Sequence, residues 1–325
     1  MFTMRFDMRA PDFGGSTTDL YKAAVDMSEW AETRGCIAAV ISEHHSSSDG
    51  YLPSPLLLAS AIAARTNTLF ISIAAALMAF YDPIRLAEDM AVLDIMSNGR
   101  LSYVMALGYR PEEFEMYGVD WKRRGVVAEE KLQLLLKAKT GEPFEYEGRR
   151  IQVTPPPITP GGPAVMWGGG TIPAAKRAGR YGLGFFAQGD APGLREAYED
   201  SCREHGHEPG MVQIPPKDSA TTMFVADDVD KAWDEIGEYI LHDVKMYGEW
   251  NPNAEHTASI SHAQTVEELR ATSPAHKIYS TDEAVEIVRG GGMLMLMPLC
   301  GGIPPEIAWP YVEHVANVVL PRAQE

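Results

Sequence analysis

The chain has 325 residues, 45% of them hydrophobic, and a formal net charge of −17. This acidic balance argues against a nucleic-acid-binding surface, which needs clustered lysine and arginine, and against an anionic membrane surface as a partner. The three cysteines, Cys36, Cys202 and Cys300, lie far apart without metal-ligand spacing, so we interpret them as reduced thiols of a cytoplasmic protein. We expect no signal peptide, because the N-terminal residues 1–13 contain no apolar run long enough for one. We expect no membrane span, because no stretch approaches the roughly 20 apolar residues that a span needs.

Short segments rich in β-forming residues alternate with helical patterns, such as the spacing of Leu20, Ala24 and Met27. Eight strands are predicted, at Met4–Met8, Ile37–Ser42, Leu69–Leu77, Leu101–Leu107, Ala164–Trp167, Leu183–Ala187, Thr221–Ala226 and Met293–Leu299. Eight strand–helix units without a dividing linker predict an α/β fold, namely a single (β/α)8 TIM barrel spanning residues 1–325. A doubly wound open sheet is the competing architecture, but it typically uses fewer strands per domain.

Two insertions interrupt the alternation, one after strand four and one after strand seven. Residues 141–163 contain a predicted hairpin, Phe144–Tyr146 with Ile151–Val153, and then a proline-rich stretch. Residues 248–280 are polar with few apolar positions. A connection this long in a compact barrel is usually functional or disordered, so we expect a mobile lid over the carboxyl ends of the strands.

The chemistry of a (β/α)8 barrel lies at the carboxyl ends of its strands, and strand two ends in Ser42-Glu43-His44-His45. Neutral imidazole is suited to proton transfer near pH 7, and strand alternation lets only one of the two histidines face the barrel axis. We predict that His44 is the catalytic residue. For His45, capping or packing is at least as good an interpretation, and Glu43 either orients a ring or is a core-facing carboxylate.

Small residues mark two further strand ends. Strand three ends in 74–76, three alanines that leave space for a flat apolar ligand or, equally well, allow tight helix–sheet packing. Strand five leads to Gly168–Thr171 and a helix, where backbone N–H groups and the helix dipole would favour a phosphate. A glycine-rich turn without a ligand is the alternative. The dinucleotide fingerprint G-x-G-x-x-G is broken by Pro173, and no cluster has the spacing of a metal site.

With these motifs, the chain resembles the luciferase-like monooxygenase family, which comprises bacterial luciferase and related flavin- or deazaflavin-dependent oxidoreductases. The resemblance spans nearly the whole chain and is densest from Ser42 to Glu130. It is carried by Glu43-His44-His45, Ala74-Ala75, Pro83-Ile84-Arg85-Leu86-Ala87-Glu88-Asp89, Leu93-Asp94-x-Met96-Ser97-x-Gly99-Arg100, Tyr109-Arg110-Pro111-Glu112-Glu113-Phe114 and Gly170-Thr171-x-Pro173-Ala174-Ala175.

The resemblance implies a β/α barrel, in agreement with the strand count, and it implies roles for individual positions. His44 matches the active-site histidine, and Ala74-Ala75 matches a pair joined by a cis peptide under the flavin ring. The residues expected to contact the flavin are Ala74, Ala75, Tyr109, Arg124, Gly169, Gly170 and Thr171, of which the last two match the phosphate site. The family pattern has arginine where this chain has Leu107 and Gly125. The neighbouring Arg123 or Arg124 would then take over the phosphate role, and Arg123, Arg124 or Arg110 is expected within reach of the phosphate site.

The activity that the resemblance implies is a monooxygenase that uses reduced FMN and molecular oxygen on a small, largely apolar organic substrate. Because no NAD fingerprint is present, reduced FMN would come from a separate flavin reductase, and the habit of the family implies a homodimer. The alternative within the family is a deazaflavin-dependent dehydrogenase or reductase, although Glu43-His44-His45 leans toward the FMN branch.

Two alternatives come from other classes of protein. A metal-dependent hydrolase barrel would need ligands at strands one and eight, and only Asp7 lies near strand one. A flavin-binding protein without turnover stays open because Leu107 replaces the arginine of the family pattern.

Overall fold

The computed structural model describes residues 1–253, 257 and 259–325. The strands of these residues are β1 (Phe2–Phe6), β2 (Cys36–Ile41), β3 (Phe70–Leu77), β4 (Leu101–Ala106), β5 (Phe144–Tyr146), β6 (Arg149–Ile151), β7 (Ala164–Gly168), β8 (Gly184–Phe186), β9 (Val212–Gln213), β10 (Thr222–Ala226), β11 (His276–Ser280) and β12 (Leu294–Leu296). The α-helices are α1 (Thr17–Glu32), α2 (Pro55–Arg65), α3 (Pro83–Ser97), α4 (Pro111–Met116), α5 (Arg124–Ala138), α6 (Ile172–Arg180), α7 (Leu194–Glu204), α8 (Val229–Trp250), α9 (Val266–Thr272), α10 (Thr281–Arg289), α11 (Pro305–His314) and α12 (Leu320–Arg322). None of these described helices combines the length and the apolar character that crossing a membrane requires.

The main sheet follows the order β11-β10-β12-β1-β2-β3-β4-β7-β8-β9, and its strand pairs are parallel. All eight predicted strands are present, with bounds that mostly agree within two residues. Strand β1 lies between β12 and β2, so the last strand returns to the first, as in an α/β barrel. The expected closure is not complete: within the described residues, β9 and β11 end the strand order and do not pair with each other.

The core lies between this sheet and the helices that cover it. In β1, Phe2, Met4 and Phe6 are fully buried, while the residues between them are partly exposed. On α1, Leu20 and Met27 are fully buried, as their helical spacing predicts. Parallel strands need cover on both faces, and this packing brings the carboxyl ends of the strands to one end of the molecule.

The insertion after strand four is a hairpin, but its second strand lies two residues earlier than predicted. Strand β6 is Arg149–Ile151, not Ile151–Val153. The turn consists of Glu147 and Gly148, whose φ angles are 48° and 71°. Two positive φ angles in sequence are typical of a tight two-residue hairpin turn, which places Arg149 directly opposite Tyr146.

The insertion after strand seven is not the continuous lid that its polar composition predicts. Helix α8 runs into it as far as Trp250, and the segment also contains α9 and β11. Strand β11 pairs with β10 and buries His276 and Ile278, so the lid expectation is wrong for this part. Residues 254–256 and 258 of the expected lid lie outside the described residues.

One of the motifs that carry the resemblance, Leu93–Arg100, has a structural role at its last residue. The Arg100 guanidinium donates to the carbonyl oxygens of Thr66 and Leu69 at 2.9 and 2.6 Å, and to that of Ala63 at 3.2 Å. Two of these carbonyls lie at the end of α2, which leaves its last carbonyl groups without partners inside the helix. Arg100 therefore caps α2 and joins it to the start of β3.

We predict that Arg100→Met lowers the free energy of unfolding by about 2–3 kcal/mol, because several carbonyl oxygens lose a charged donor. Urea denaturation followed by circular dichroism measures this difference. Arg85→Met is the control, since the Arg85 side chain is 72% exposed and forms surface ion pairs; its expected change is within about 0.5 kcal/mol. Equal midpoints for the two variants would show that Arg100 has no capping role.

Candidate active site

The end of β2 places two histidines and a carboxylate at the carboxyl ends of the strands. Glu43, His44 and His45 are all buried, with at most 6% of each residue exposed. The two rings have different partners. His44 Nδ1 lies 2.8 Å from Glu113 Oε1, and His45 Nε2 lies 2.8 Å from Glu43 Oε1.

Glu113, in the first turn of α4, fixes the orientation of the His44 ring. Its Oε1 also accepts the backbone N–H of His45 at 2.9 Å, and Arg110 Nη1 lies 3.4 Å away. Burial opposes the charge on Glu113, but the donors from His44, His45 and Arg110 outweigh it, so the pKa of the carboxyl is lowered. A charged carboxylate only accepts hydrogen bonds, and the proton of the bond therefore resides on His44 Nδ1.

His44 is a neutral imidazole at pH 7. Burial lowers its pKa below the ordinary value, although the neighbouring Glu113 acts in the opposite direction. With the ring proton on Nδ1, Nε2 is a free acceptor. The Tyr109 hydroxyl lies 3.0 Å from Nε2 and donates to it. The geometry thus presents a neutral base with a hydroxyl group on its reactive nitrogen.

Aromatic rings enclose the His44 imidazole. The ring centroids of Tyr51, Tyr109 and Trp250 lie 4.9, 5.1 and 4.9 Å from that of His44. Tyr247 is 6.1 Å away, and its hydroxyl forms a 2.7 Å hydrogen bond with that of Tyr51. These rings limit the access of water to His44, which is the cause of its lowered pKa.

A second charged cluster, at the end of β1, contacts the same aromatic rings. Arg9 is fully buried, with Nε 2.8 Å from Asp243 and Nη1 2.5 Å from Asp49. Its guanidinium carbon lies 4.6 Å from the centroid of the Trp250 ring. Burial and the neighbouring Asp243 carboxylate raise the pKa of Asp7 to about 7. Among the described residues, no group of three histidine, cysteine or acidic side chains is arranged to hold a metal ion.

Glu43 connects His45 to the end of β3. Its Oε2 accepts the backbone N–H of Leu77 at 3.0 Å and the hydroxyl of Tyr81 at 2.9 Å. The other ring nitrogen of His45, Nδ1, lies 3.2 Å from the hydroxyl of Tyr117. Of the two interpretations of Glu43, orientation of a ring therefore agrees with the structure, and that ring is His45.

The end of β3 carries a cis peptide bond between Ala74 and Ala75, as the resemblance implies. Both residues are partly exposed, and so are Ala106, Leu107 and Gly108 at the end of neighbouring β4. Small side chains thus border an accessible face at the ends of these two strands.

The end of β7 opens onto the start of α6. Gly170 and Thr171 are exposed, and a Cβ atom added to Gly170 would meet no atom within 4 Å. Gly169 has a φ of 145°, which favours glycine. The Thr171 hydroxyl accepts the backbone N–H of Ala174, but over a long 3.4 Å. The first turn of α6 therefore has space for an anion.

The arginines that were predicted to approach this turn lie in different places. Arg110 donates to the carbonyl oxygen of His45 at 2.6 Å, so its guanidinium lies at the His44 site. Arg124 stacks on Trp121, with 3.8 Å between its guanidinium carbon and the ring centroid. Arg123 is exposed.

Several residues of the site were not identified from the sequence. Glu113 was seen only as part of a motif, although its position three residues after Arg110, at the start of a helix beyond a strand end, is a usable signal. Arg9 and Trp250 gave no such signal. Trp250 contacts His44, and Arg9 contacts the aromatic rings around it, from parts of the chain that are distant in sequence.

A profile of the luciferase-like monooxygenase family matches residues 4–287. The match covers most of the chain, and the protein belongs to this family. The predicted resemblance is confirmed. The predicted enzyme class, an oxidoreductase, is also confirmed, because monooxygenases are oxidoreductases.

Individual relatives are more distant. An uncharacterized protein of Sinorhizobium fredii is 29% identical over 144 residues, which are 44% of this chain and 41% of that protein. The alkanal monooxygenase alpha chain of Photorhabdus luminescens is 24% identical over 203 residues, 59% of this chain and 56% of the relative. The chain thus spans about half the length of the curated relatives that it matches.

Solved structures share the fold over almost the full chain. The monooxygenase RslO1 from Streptomyces bottropensis has a TM-score of 0.74 at 22% identity, covering 99% of both chains. The oxygenating constituent of 3,6-diketocamphane monooxygenase from Pseudomonas putida, in complex with FMN, has a TM-score of 0.73 at 20% identity, covering 98% and 97%. The coenzyme F420 dependent tetrahydromethanopterin reductase from Methanopyrus kandleri has a TM-score of 0.64 at 16% identity, covering 98% of both. These likenesses confirm the predicted barrel.

We predict that Glu113→Gln lowers the pKa of His44 further. The Glu113 carboxylate is the largest influence that raises this pKa, and a neutral amide removes it while burial remains. Titration of the His44 ring by NMR measures the shift, and His276→Asn, a buried change away from Glu113, identifies effects of altered packing. An unchanged or higher His44 pKa in Glu113→Gln would contradict the proposed pairing.

Proposed function

We propose that the protein is a monooxygenase that uses reduced FMN and molecular oxygen on a small, largely apolar organic substrate. The observation that carries the proposal is the neutral His44 ring, whose Nδ1 is held by Glu113 and whose Nε2 meets Tyr109. Flavin-dependent oxygenation needs a proton-transfer group beside the ring and protection from water. His44 within its aromatic enclosure supplies both.

The residues present fit a flavin. Ala74 and Ala75 offer small, partly exposed side chains for the flat ring, and the ends of β3 and β4 are free of bulky charged groups. Gly169, Gly170 and Thr171 border the open start of α6, where a phosphate would find N–H donors. When bound and reduced, the flavin supplies the electrons for the reaction with oxygen.

The remaining chemistry belongs to side chains of this protein. His44 would accept a proton of the bound reactant at Nε2, in place of the hydrogen bond from the Tyr109 hydroxyl, and the Glu113 carboxylate would stabilise the imidazolium that results. Trp250 and Tyr51 keep water from the His44 ring. Leu107 leaves this side of the site without the arginine of the family pattern, which lowers the expected affinity for FMN.

A deazaflavin-dependent dehydrogenase or reductase is the second candidate. It is supported by the likeness of fold to the F420-dependent reductase, beside the likeness to an FMN-bound monooxygenase. We therefore propose a flavin or a deazaflavin as the cofactor class, with FMN as the form. The sequence Glu43-His44-His45 favours FMN over a deazaflavin.

We further propose a homodimer that works in the cytoplasm with a separate flavin reductase, and a single barrel domain over residues 1–325. Exposed apolar side chains on the adjacent helices α2 and α3, among them Leu57 and Met96, support the dimer. The cysteines are buried as free thiols, as in a reducing compartment. Size-exclusion chromatography with light scattering measures the oligomeric state.

A spectroscopic titration tests the proposed cofactor. The purified protein is titrated anaerobically with reduced FMN and with reduced deazaflavin, and free ligand is separated by ultrafiltration. We expect saturable binding with a preference for FMN. A preference for the deazaflavin selects the second candidate, and failure to bind either one contradicts the proposal.

We predict that His44→Gln retains flavin affinity within about threefold but loses about 10²–10⁴-fold in turnover, the usual contribution of a proton-transfer group. Oxygen consumption with enzymatically reduced FMN and a panel of ketones and aldehydes measures turnover. The control is His205→Gln, a change at the end of α7. Wild-type turnover in His44→Gln would remove His44 from the mechanism.

A further inference from the structure

Arg177, in α6, brings a guanidinium back to the start of its own helix. Its position is six residues after Thr171, which corresponds to about 9 Å along the helix axis. Long side chains on a helix lean toward its N-terminus. The guanidinium carbon accordingly lies 5.2 Å from the ring centroid of Trp167, which directly precedes Gly168 at the end of β7.

The same guanidinium lies against the start of a second helix. A Cβ atom added to Gly125, in the first turn of α5, would be 3.6 Å from Arg177 Nη2. The residue before that helix, Arg123, provides no side-chain cap. The N-terminal end of α5, which is the positive end of its helix dipole, thus lies beside this cation. An anion is the ligand that this arrangement favours.

Glu129 holds the guanidinium from one side only. Its Oε2 accepts Arg177 Nε at 3.1 Å, while its Oε1 accepts Arg180 Nη1 at 2.7 Å and the Tyr181 hydroxyl at 2.9 Å. Two arginines share one carboxylate, which leaves a net positive charge. The Arg177 side chain is only 12% exposed, and its two Nη groups form no hydrogen bond among the described residues.

The neighbouring Trp167 provides an independent observation. It is fully buried, and its indole Nε1 has no hydrogen-bond partner within the part of the chain that the structure describes. A buried indole N–H normally has a partner. A buried polar donor without a partner and a cation with unused donors therefore lie side by side at β7, the strand that leads to the start of α6.

We propose that Arg177 is the phosphate-binding cation of the site, and that its Nη groups donate to the phosphate ester of the flavin side chain. The guanidinium fork matches phosphate oxygens in geometry and charge. Arg124 stacks on Trp121, and Leu107 carries no charge. Arg177 therefore supplies the phosphate-binding cation from α6. The proposal rests on the proposed function, since it requires a phosphorylated flavin or deazaflavin.

FMN and riboflavin provide the test, because they share the ring and differ in the phosphate. We expect Arg177→Met to weaken FMN binding about 10- to 100-fold, the range for a charge-assisted hydrogen bond, and to change riboflavin binding less than about twofold. Dissociation constants are measured anaerobically with both reduced ligands. Arg180→Met is the matched control, because it also loses a Glu129 partner but is 47% exposed; we expect no selective loss of FMN.

A double variant introduces a new arginine on α5 in place of the one that is removed from α6. Gly125→Arg combined with Arg177→Met should recover at least part of the FMN affinity, because the Cβ contact at Gly125 is ordinary and the shortened side chain leaves space. Recovery confined to FMN supports a phosphate contact rather than a packing effect. For a deazaflavin-binding protein, coenzyme F420 and its phosphate-free chromophore replace the two ligands.

Several results would overturn the inference about Arg177. Equal weakening of FMN and riboflavin in Arg177→Met, or equal binding of both by the wild type, contradicts the phosphate role and leaves the proposed function intact. Failure of the wild type to bind any of the four ligands contradicts the proposed function as well. An unchanged FMN affinity in Arg177→Met assigns the phosphate to other residues.

Discussion

The buried hydrogen bond between the Glu113 carboxylate and His44 Nδ1 is the interaction on which the candidate site depends. It links the end of β2 to the start of α4, and it determines which ring nitrogen carries the proton. Burial alone would leave the His44 ring neutral but free to adopt either tautomer. The charged Glu113 carboxylate selects the tautomer with the proton on Nδ1, so Nε2 is the acceptor at the site. Arg110 and the backbone of His45 keep the carboxylate charged.

The other parts of the site follow from the parallel sheet, which brings the ends of distant strands together. The proposed acid–base group, His44, lies at the end of β2, the small residues Ala74 and Ala75 at the end of β3, and the turn proposed to bind an anion at the end of β7. A phosphorylated, flat cofactor needs these three features side by side. Because each comes from a different strand, loop changes at one strand end alter one requirement and leave the others in place.

The sequence predicts the parts that are encoded locally. Apolar runs predict the eight strands, and the position of His44 at a strand end predicts a role that its contacts support. Strand β11 was missed because its five residues alternate between buried and half-buried positions within a polar segment. Trp250 and Arg9 were missed because they approach His44 only through the packing of α8 and β1. The choice between Arg124 and Arg177 depends on side-chain direction, which residue spacing does not encode.

A flavin bound at the carboxyl ends of the strands, with His44 beside its ring, is the arrangement that we propose. A crystal structure of the protein with FMN measures it. We expect electron density for the ring over Ala74 and Ala75, with His44 Nε2 facing it, and for the phosphate at the start of α6. A flavin bound at another surface, or one with its phosphate directed toward His44, would show that the proposed site is wrong.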